Sequence, residues 1–221
     1  MQTYFFPQIK EINHLPNLDI YFHQNFIPMK QANKVLNELL SYSYFSDERS
    51  AVIMAGQKKY VPRKQIWFSD PKTFYRFSGN EMREKEKWPP LLQDIRILLN
   101  ETLQEKDILP ADSKIGLNAV LVNLYRNGHD YIGWHSDKTE ELIPIQGQTV
   151  IVSLTFGVTR PFILRRKDNH DIKYSLNLSH GDLLIIKGKT NDFWQHTVPK
   201  RLSITKPRIN LTFRIVQKTM Y

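Results

Sequence analysis

The chain has 221 residues, no cysteine, and 31 Lys plus Arg against 22 Asp plus Glu, a formal net charge of +9. The missing cysteine excludes disulfides, thiolate metal sites and cysteine nucleophiles, and the length suits a single domain over 1–221 with a sizeable core. The basic surplus fits either a polyanionic partner, whose phosphates shed counterions on contact, or plain solubility.

Met1 to Lys10 lacks the charged and apolar regions of a secretory signal, and no apolar run is long enough to span a bilayer. A soluble, intracellular protein without membrane association is therefore expected. In chain order, a first helix is predicted from Met29 to Tyr42, with Val35, Leu36, Leu39 and Leu40 on one face. The stretch Ala51 to Asn80 interleaves Lys58, Lys59, Arg63, Lys64 and Arg76 with Tyr60, Trp67, Phe68, Phe74, Tyr75 and Phe77. Cations grip phosphates and flat rings stack on bases, so the stretch fits binding of a single strand or an extruded base. A surface hairpin with one buried face would show the same composition. A second helix opens at Pro89-Pro90, where proline suits a first turn, and runs to about Lys106 on the spacing of Leu91, Leu92, Ile95, Leu98, Leu99 and Leu103.

From Gly116 the pattern changes to short strands: Leu117 to Tyr125, Thr149 to Phe156, Arg160 to Arg166, Asp171 to Leu178, Asp182 to Lys187 and Ile209 to Val216. Turn signals such as Asn127-Gly128 and His180-Gly181 separate them. A run of this kind suggests a β-sandwich or double-sheet jelly roll. The expectation is an α+β fold in which a helix-rich N-terminal half (1–110) covers a β core (111–221).

Trp134-His135-Ser136-Asp137 places a His-x-Asp near a strand end. Residues i and i+2 of an extended segment point the same way, so one imidazole and one carboxylate can meet on a cation. His196 would complete two histidines and a carboxylate, the facial triad of non-haem iron(II) oxygenases, which leaves coordination positions open. His129 beside Asp130 is a competing pair, although strand neighbours face opposite ways; His180 in His-Gly-Asp reads as a turn residue. Arg208 to Arg214 alternates, so Arg208, Asn210, Thr212 and Arg214 share a face. Two inward guanidiniums are costly unless an anion meets them, and a solvated strand face is the alternative for this segment in isolation. Asn123 and Tyr125 add an amide and a phenol that can donate to a carboxylate.

Taken in order, Val61-Pro62-Arg63-Lys64-Gln65, Tyr75-Arg76-Phe77-Ser78-Gly79, Asn123-Leu124-Tyr125, Gly133-Trp134-His135-Ser136-Asp137, Ser153 to Gly157, His180 to Leu183, His196 and Arg208 to Arg214 make the sequence similar to the AlkB family of nucleic-acid dealkylases, in its DNA-repair branch. The resemblance runs from about Val61 to Val216 and implies a double-stranded β-helix (jelly-roll) core with N-terminal helices and a nucleotide-recognition lid. It implies Fe(II), 2-oxoglutarate and dioxygen as cofactors, with His135, Asp137 and His196 as catalytic metal ligands. By similarity, Arg208 and Arg214 bind the cosubstrate, supported by Asn123, Tyr125, Asn210 and Thr212; Arg214 takes the distal carboxylate and Arg208 the metal-bound end. The segment from Val61 to Gly79 resembles the lid, with Arg63 near the substrate and Tyr75 and Phe77 lining the damaged-base pocket.

The implied reaction is oxidative demethylation of bases such as 1-methyladenine and 3-methylcytosine in DNA, with release of formaldehyde, by a monomer. Two departures bear on the substrate. In the hairpin stretch Met54-Ala55-Gly56-Gln57-Lys58, Ala55 is too small to be the bulky apolar wedge of members that open duplexes and leaves Met54 as the one substitute, so single strands are expected to serve at least as well as duplex. Lys138 stands where several members carry an acid facing the exocyclic amine, an interaction lysine cannot make as an acceptor; Glu140 or Glu141 would have to replace it. The competing readings are an RNA or protein dealkylase or hydroxylase with the same chemistry, a non-catalytic nucleic-acid-binding module, and a zinc hydrolase. The last two leave the arginine row without a task.

Overall fold

The computed structural model describes residues 9–43, 45, 50–54, 57–77, 80–83 and 87–218, with the backbone alone at 52–54, 58, 74, 76, 77 and 80–83. In chain order the elements are β1 (Ile9–Ile12), β2 (Ile20–His23), α1 (Met29–Leu40), β3 (Ala51–Met54), β4 (Gln57–Tyr60), β5 (Lys64–Ser69), β6 (Phe74–Phe77), β7 (Asn80–Arg83) and α2 (Pro90–Glu105). They continue with β8 (Ala119–Tyr125), β9 (Ile132–His135), β10 (Ile151–Gly157), β11 (Arg160–Arg166), β12 (Lys173–Leu178), β13 (Asp182–Ile186), α3 (Thr190–Phe193), β14 (Trp194–Val198) and β15 (Arg208–Arg214).

Two antiparallel sheets carry the fold. The larger runs β1-β2-β13-β10-β15-β8-β5 and the smaller β12-β11-β14-β9, while β3–β4 and β6–β7 form separate hairpins. Alternation decides what each face meets. On β10 and β15, Val152, Leu154, Phe156, Ile209, Leu211 and Phe213 point to one side and pack with Val35 and Leu39 of α1 and Leu92, Ile95 and Leu99 of α2. The opposite face of the large sheet meets the small one through Ile20, Ile151, Leu184 and Ile186 against Phe162, Leu164, Leu176 and Trp194. The sheets thus stack as a double-stranded β-helix with the helices outside. With its apolar face under the helices, β15 has to turn Arg208, Asn210, Thr212 and Arg214 into the space between the sheets. A solvated face for that row is ruled out.

The helix-rich N-terminal half is corrected. Strands β1, β2 and β5 fall within residues 1–110 and pair into the large sheet, with β2 against β13 and β5 against β8. The reason lies in their burial. From Gln65 to Ser69 every residue of β5 is buried, so the segment shows no alternation and its aromatics fit a binding surface as well as the buried face of a hairpin. Trp67 and Phe68 are core residues. The expected strand from Asp171 begins instead at Lys173, and that from Ile209 is displaced to Arg208–Arg214.

The ends of the site-bearing strands are tied together by two loops. The Gly128 N–H donates to Ile204 O at 2.7 Å and the Arg201 N–H to Gly128 O at 2.9 Å. Arg160, buried, donates to the carbonyls of Asn127, Asp130 and Pro199. A Cβ on Gly128 would lie 1.6 Å from Arg201 O, so this glycine is required by the approach of the second backbone. Gly128→Ala should therefore separate the loops and lower stability by about 1–3 kcal/mol, the usual cost of overpacking, read by urea denaturation. Unchanged stability would mean that the loops are not held together in solution.

Candidate metal centre

His135 ends β9 and pairs in register with His196 on β14, so their imidazoles stand side by side with ring centroids 4.2 Å apart. Asp137, two residues on, brings Oδ1 to 3.7 Å from His135 Nε2 and 3.9 Å from His196 Nε2. Ligand atoms of all three lie within 4.8 Å of one another, which is the arrangement that could hold a metal ion. The His135 Nδ1–H donates to Gly133 O at 2.9 Å. A carbonyl can only accept, so the proton is on Nδ1 and the Nε2 lone pair is left for a cation. Phe162 stacks on His196 at 5.0 Å and fixes its ring.

Burial, then the neighbouring His135, pushes His196 down to about 3, and burial likewise lowers His135. Burial works to raise Asp137, but Arg214 and the two imidazoles outweigh it and hold the carboxyl at about 2. At neutral pH the trio therefore presents two neutral imidazoles and one carboxylate, the protonation state a divalent ion needs.

The residues expected to bind the cosubstrate line one cavity together with the metal candidates. Its walls include the three metal candidates, Arg63, Asn123, Tyr125, Arg208, Asn210, Thr212 and Arg214, with Ile132, Phe162 and Ile186 supplying apolar surface. Arg214 Nη2 donates to Asp137 Oδ2 at 2.5 Å. Arg208 Nη2 donates to Thr155 Oγ1 and Asn210 Oδ1 at 2.9 and 2.8 Å, and its Cζ lies 5.2 Å from the Tyr125 ring centre. Its Nε and Nη1 have no hydrogen-bond partner although Arg208 is only 1% exposed, and no carboxylate stands against it among the described residues. Orphaned donors on a buried cation fit an anionic ligand.

The expectation for the two arginines is corrected in direction. Arg214 is held by the metal-site carboxylate, so it stands at the metal end of the cavity. Arg208, in register with Tyr125 at the other end of β15, stands at the far end with free donors. Alternation along a strand assigns a face but not which end approaches the metal.

Arg63 is also placed differently from the lid expectation. It precedes β5, is buried, and donates from Nε to Asn123 Oδ1 at 3.0 Å, in the cavity wall. Gln65 Nε2 donates to the same oxygen at 3.0 Å, which fixes the Asn123 amide and leaves its NH2 to donate. Tyr75 is fully buried between Trp67, stacked at 5.1 Å, and Arg214, whose Cζ is 5.3 Å from its ring; burial pushes its phenol up to about 12. It packs behind Arg214 rather than standing as an open stacking platform. Its hydroxyl donates to the carbonyl of Lys138, whose side chain is exposed. The Phe77 side chain, Ala55 and Gly56 lie outside the described residues, as does the side chain of Met54.

The competing pair is resolved as structural. Asp130 takes a two-pronged bond from Arg126 at 2.8 Å, and His129 is exposed. His180 is a turn residue, as expected: its Nδ1 accepts from the Gly157 N–H at 2.9 Å. Two residues near the site carried no sequence signal. Asn191 bonds the backbone of Asp137, and Ser136 Oγ donates to Trp194 O at 2.9 Å, joining β14 to the segment after β9.

A family model described as the 2OG-Fe(II) oxygenase superfamily matches residues 19–214. The DNA oxidative demethylase ALKBH2 of Mus musculus is 35% identical over 197 residues, which cover 86% of this chain and 77% of that protein. The alpha-ketoglutarate-dependent dioxygenase alkB homolog 3 of Bos taurus is 34% identical over 201 residues, covering 86% and 64%. A solved structure, that of OsALKBH1, superposes with a TM-score of 0.61 at 17% identity over 94% of this chain and all of that one, a likeness of fold. No helix among the described residues is long and apolar enough to cross a membrane.

Proposed function

This chain belongs to the 2OG-Fe(II) oxygenase superfamily, in its AlkB-like group, and from that we propose that it is a DNA oxidative demethylase acting on N-methylated bases such as 1-methyladenine and 3-methylcytosine. The observation that carries the reading is the cavity itself: a two-histidine, one-carboxylate set at one end and a buried arginine with unused donors at the other. His135, Asp137 and His196 would hold iron(II) on one side, leaving coordination positions for a chelating cosubstrate. Arg208 would take the distal carboxylate of 2-oxoglutarate through Nε and Nη1, with Tyr125 and the Asn123 amide beside it. Arg214 would hold Asp137 in place and lie near the metal-bound end. Bound iron(II) with 2-oxoglutarate and dioxygen supplies hydroxylation of the N-methyl carbon, after which the adduct loses formaldehyde.

The protein's own contribution is position and exclusion. Ile132, Phe162, Ile186 and Val198 would keep water from the cosubstrate, and Tyr75, braced on Trp67, backs Arg214. The sequence between β3 and β4, Ala55-Gly56, has no bulky apolar wedge, which supports single strands as at least as good a substrate as duplex. The whole constellation lies on one chain, so a monomer suffices. The test incubates the protein with iron(II), 2-oxoglutarate, ascorbate and air, plus single- and double-stranded oligonucleotides carrying either lesion, and follows the methyl group by mass spectrometry. Methyl loss that requires 2-oxoglutarate, at least as fast on the single strand, is expected. Succinate formation without methyl loss would remove DNA as the substrate and leave RNA or protein.

A further inference from the structure

Helix α3 is a single turn, yet two consecutive residues of it are buried polar side chains bonded to backbone on either side. Thr190 faces the large sheet: the Asp19 N–H donates to its Oγ1 at 2.7 Å, and that hydroxyl donates to Asp19 O at 3.1 Å, just ahead of β2. Asn191 faces the metal segment: the Asp137 N–H donates to its Oδ1 at 2.9 Å, and its Nδ2 donates to Asp137 O at 2.9 Å. Each side chain thus satisfies both backbone groups of one residue, as a neighbouring strand would. Asp137 needs such a surrogate, because it lies beyond the end of β9 and outside its ladder.

We propose that Asn191 is a positioning residue for the metal centre, holding the backbone of Asp137 so that its carboxylate stays between the two imidazoles, with Thr190 anchoring α3 to the large sheet. The inference rests on the reading of Asp137 as a metal ligand. Only one orientation of the amide serves both bonds, since the N–H must meet an oxygen and the carbonyl a donor. Arg214 fixes one carboxylate oxygen from the other side. The ligand is therefore held at its backbone by Asn191 and at its head by Arg214, which leaves Oδ1 presented to the histidines at 3.7 and 3.9 Å. Groups that orient a metal ligand without touching the metal are typically worth about 10–100-fold in metal affinity or activity.

The test uses Mn(II) as an air-stable probe, titrated into wild type, Asn191→Ala and Asn191→Asp by calorimetry, with metal-free melting temperatures measured alongside. Asn191→Ala is expected to bind Mn(II) about 10–100-fold more weakly, and its turnover should recover as iron(II) is raised, because the ligands remain and only their placement is lost. Asn191→Asp keeps the volume and the accepting oxygen but loses the donor, and should weaken Mn(II) binding in the same direction while remaining folded. A variant that melts lower but binds Mn(II) as wild type does, with no change in its iron(II) dependence, would give Asn191 a purely structural role and overturn the proposal. Wild type that binds no Mn(II) would overturn the reading of Asp137 as a ligand, and the inference with it.

Discussion

Asp137→Ala is expected to abolish 2-oxoglutarate-dependent demethylation and, in the metal-free protein, to lower the unfolding free energy by about 3–5 kcal/mol, the usual cost of breaking a buried ion pair from one side. The two effects have separate origins. Turnover is lost because the carboxylate is one of three groups that could hold iron. Stability is lost because Asp137 neutralises Arg214 across 2.5 Å, with the two side chains 5% and 2% exposed. Arg214 Nε already lacks a partner, and no second carboxylate pairs with Arg214 among the described residues. The pH dependence has a definite sign. Arg214 and the imidazoles outweigh burial and hold the folded carboxyl at about 2, below the unfolded value near 3.9, so the contribution is fully present above about pH 4 and lost as pH falls toward 2. The gap between wild type and variant should narrow over that window. Adding Arg214→Met to Asp137→Ala should restore stability but not turnover. Urea denaturation and formaldehyde release are the readouts. Formaldehyde at the wild-type rate from the single variant would remove Asp137 from the metal site; unchanged stability would remove the ion pair.

Much of this site was legible because strand alternation is a strong signal where one face is fully apolar. Ile209, Leu211 and Phe213 mark one side of β15, and helices cover that side, so the polar residues between them had to face the interior. His-x-Asp was legible for the same reason of spacing. What was hidden has physical causes. In β5 both faces are buried, so the sequence pattern could not separate a binding surface from a half-buried hairpin, and Trp67 and Phe68 are core. Strands β9 and β14 are short and carry His135 and His196 among few apolar residues, which weakens their pattern. The direction of the arginine row was hidden because it depends on which end of β15 lies beside β9, a property of sheet stacking. Asn191 was invisible because an asparagine in a turn between two strands has the same local sequence whether it caps its own loop or braces a residue 54 positions away.

Arg208→Met should separate function from stability more sharply than any other substitution, because the two readouts move in opposite directions. Burial pulls the Arg208 guanidinium down to about 10 against the pull of the Tyr125 hydroxyl, which still leaves it charged at neutral pH, with no carboxylate beside it among the described residues and no hydrogen-bond partner within bonding geometry at Nε and Nη1. That is an unfavourable arrangement in the cosubstrate-free protein. Replacing buried ionic groups by apolar ones of similar volume is often neutral or stabilising by about 1–4 kcal/mol, so the variant should melt no lower than wild type. Its loss leaves little unsatisfied, since Asn210 Oδ1 keeps donors from Ser153 and Thr155. Binding of 2-oxoglutarate should fall far more, because truncating one side of a buried, hydrogen-bonded charge pair costs about 2–5 kcal/mol, or roughly 30-fold and upward in KM. Arg208→Lys keeps the charge but not the planar two-donor fork, and should fall between. Melting with and without 2-oxoglutarate in the presence of Mn(II) gives an independent check: ligand-induced stabilisation follows the occupied fraction, so it should be present in wild type and nearly absent in Arg208→Met. A variant that is destabilised while its KM for 2-oxoglutarate stays unchanged would make Arg208 a structural cation and return the distal carboxylate to Arg214. If instead the metal-free variant is at least as stable and KM rises, the strain of burying an unpaired charge is present in the resting protein for the sake of its ligand.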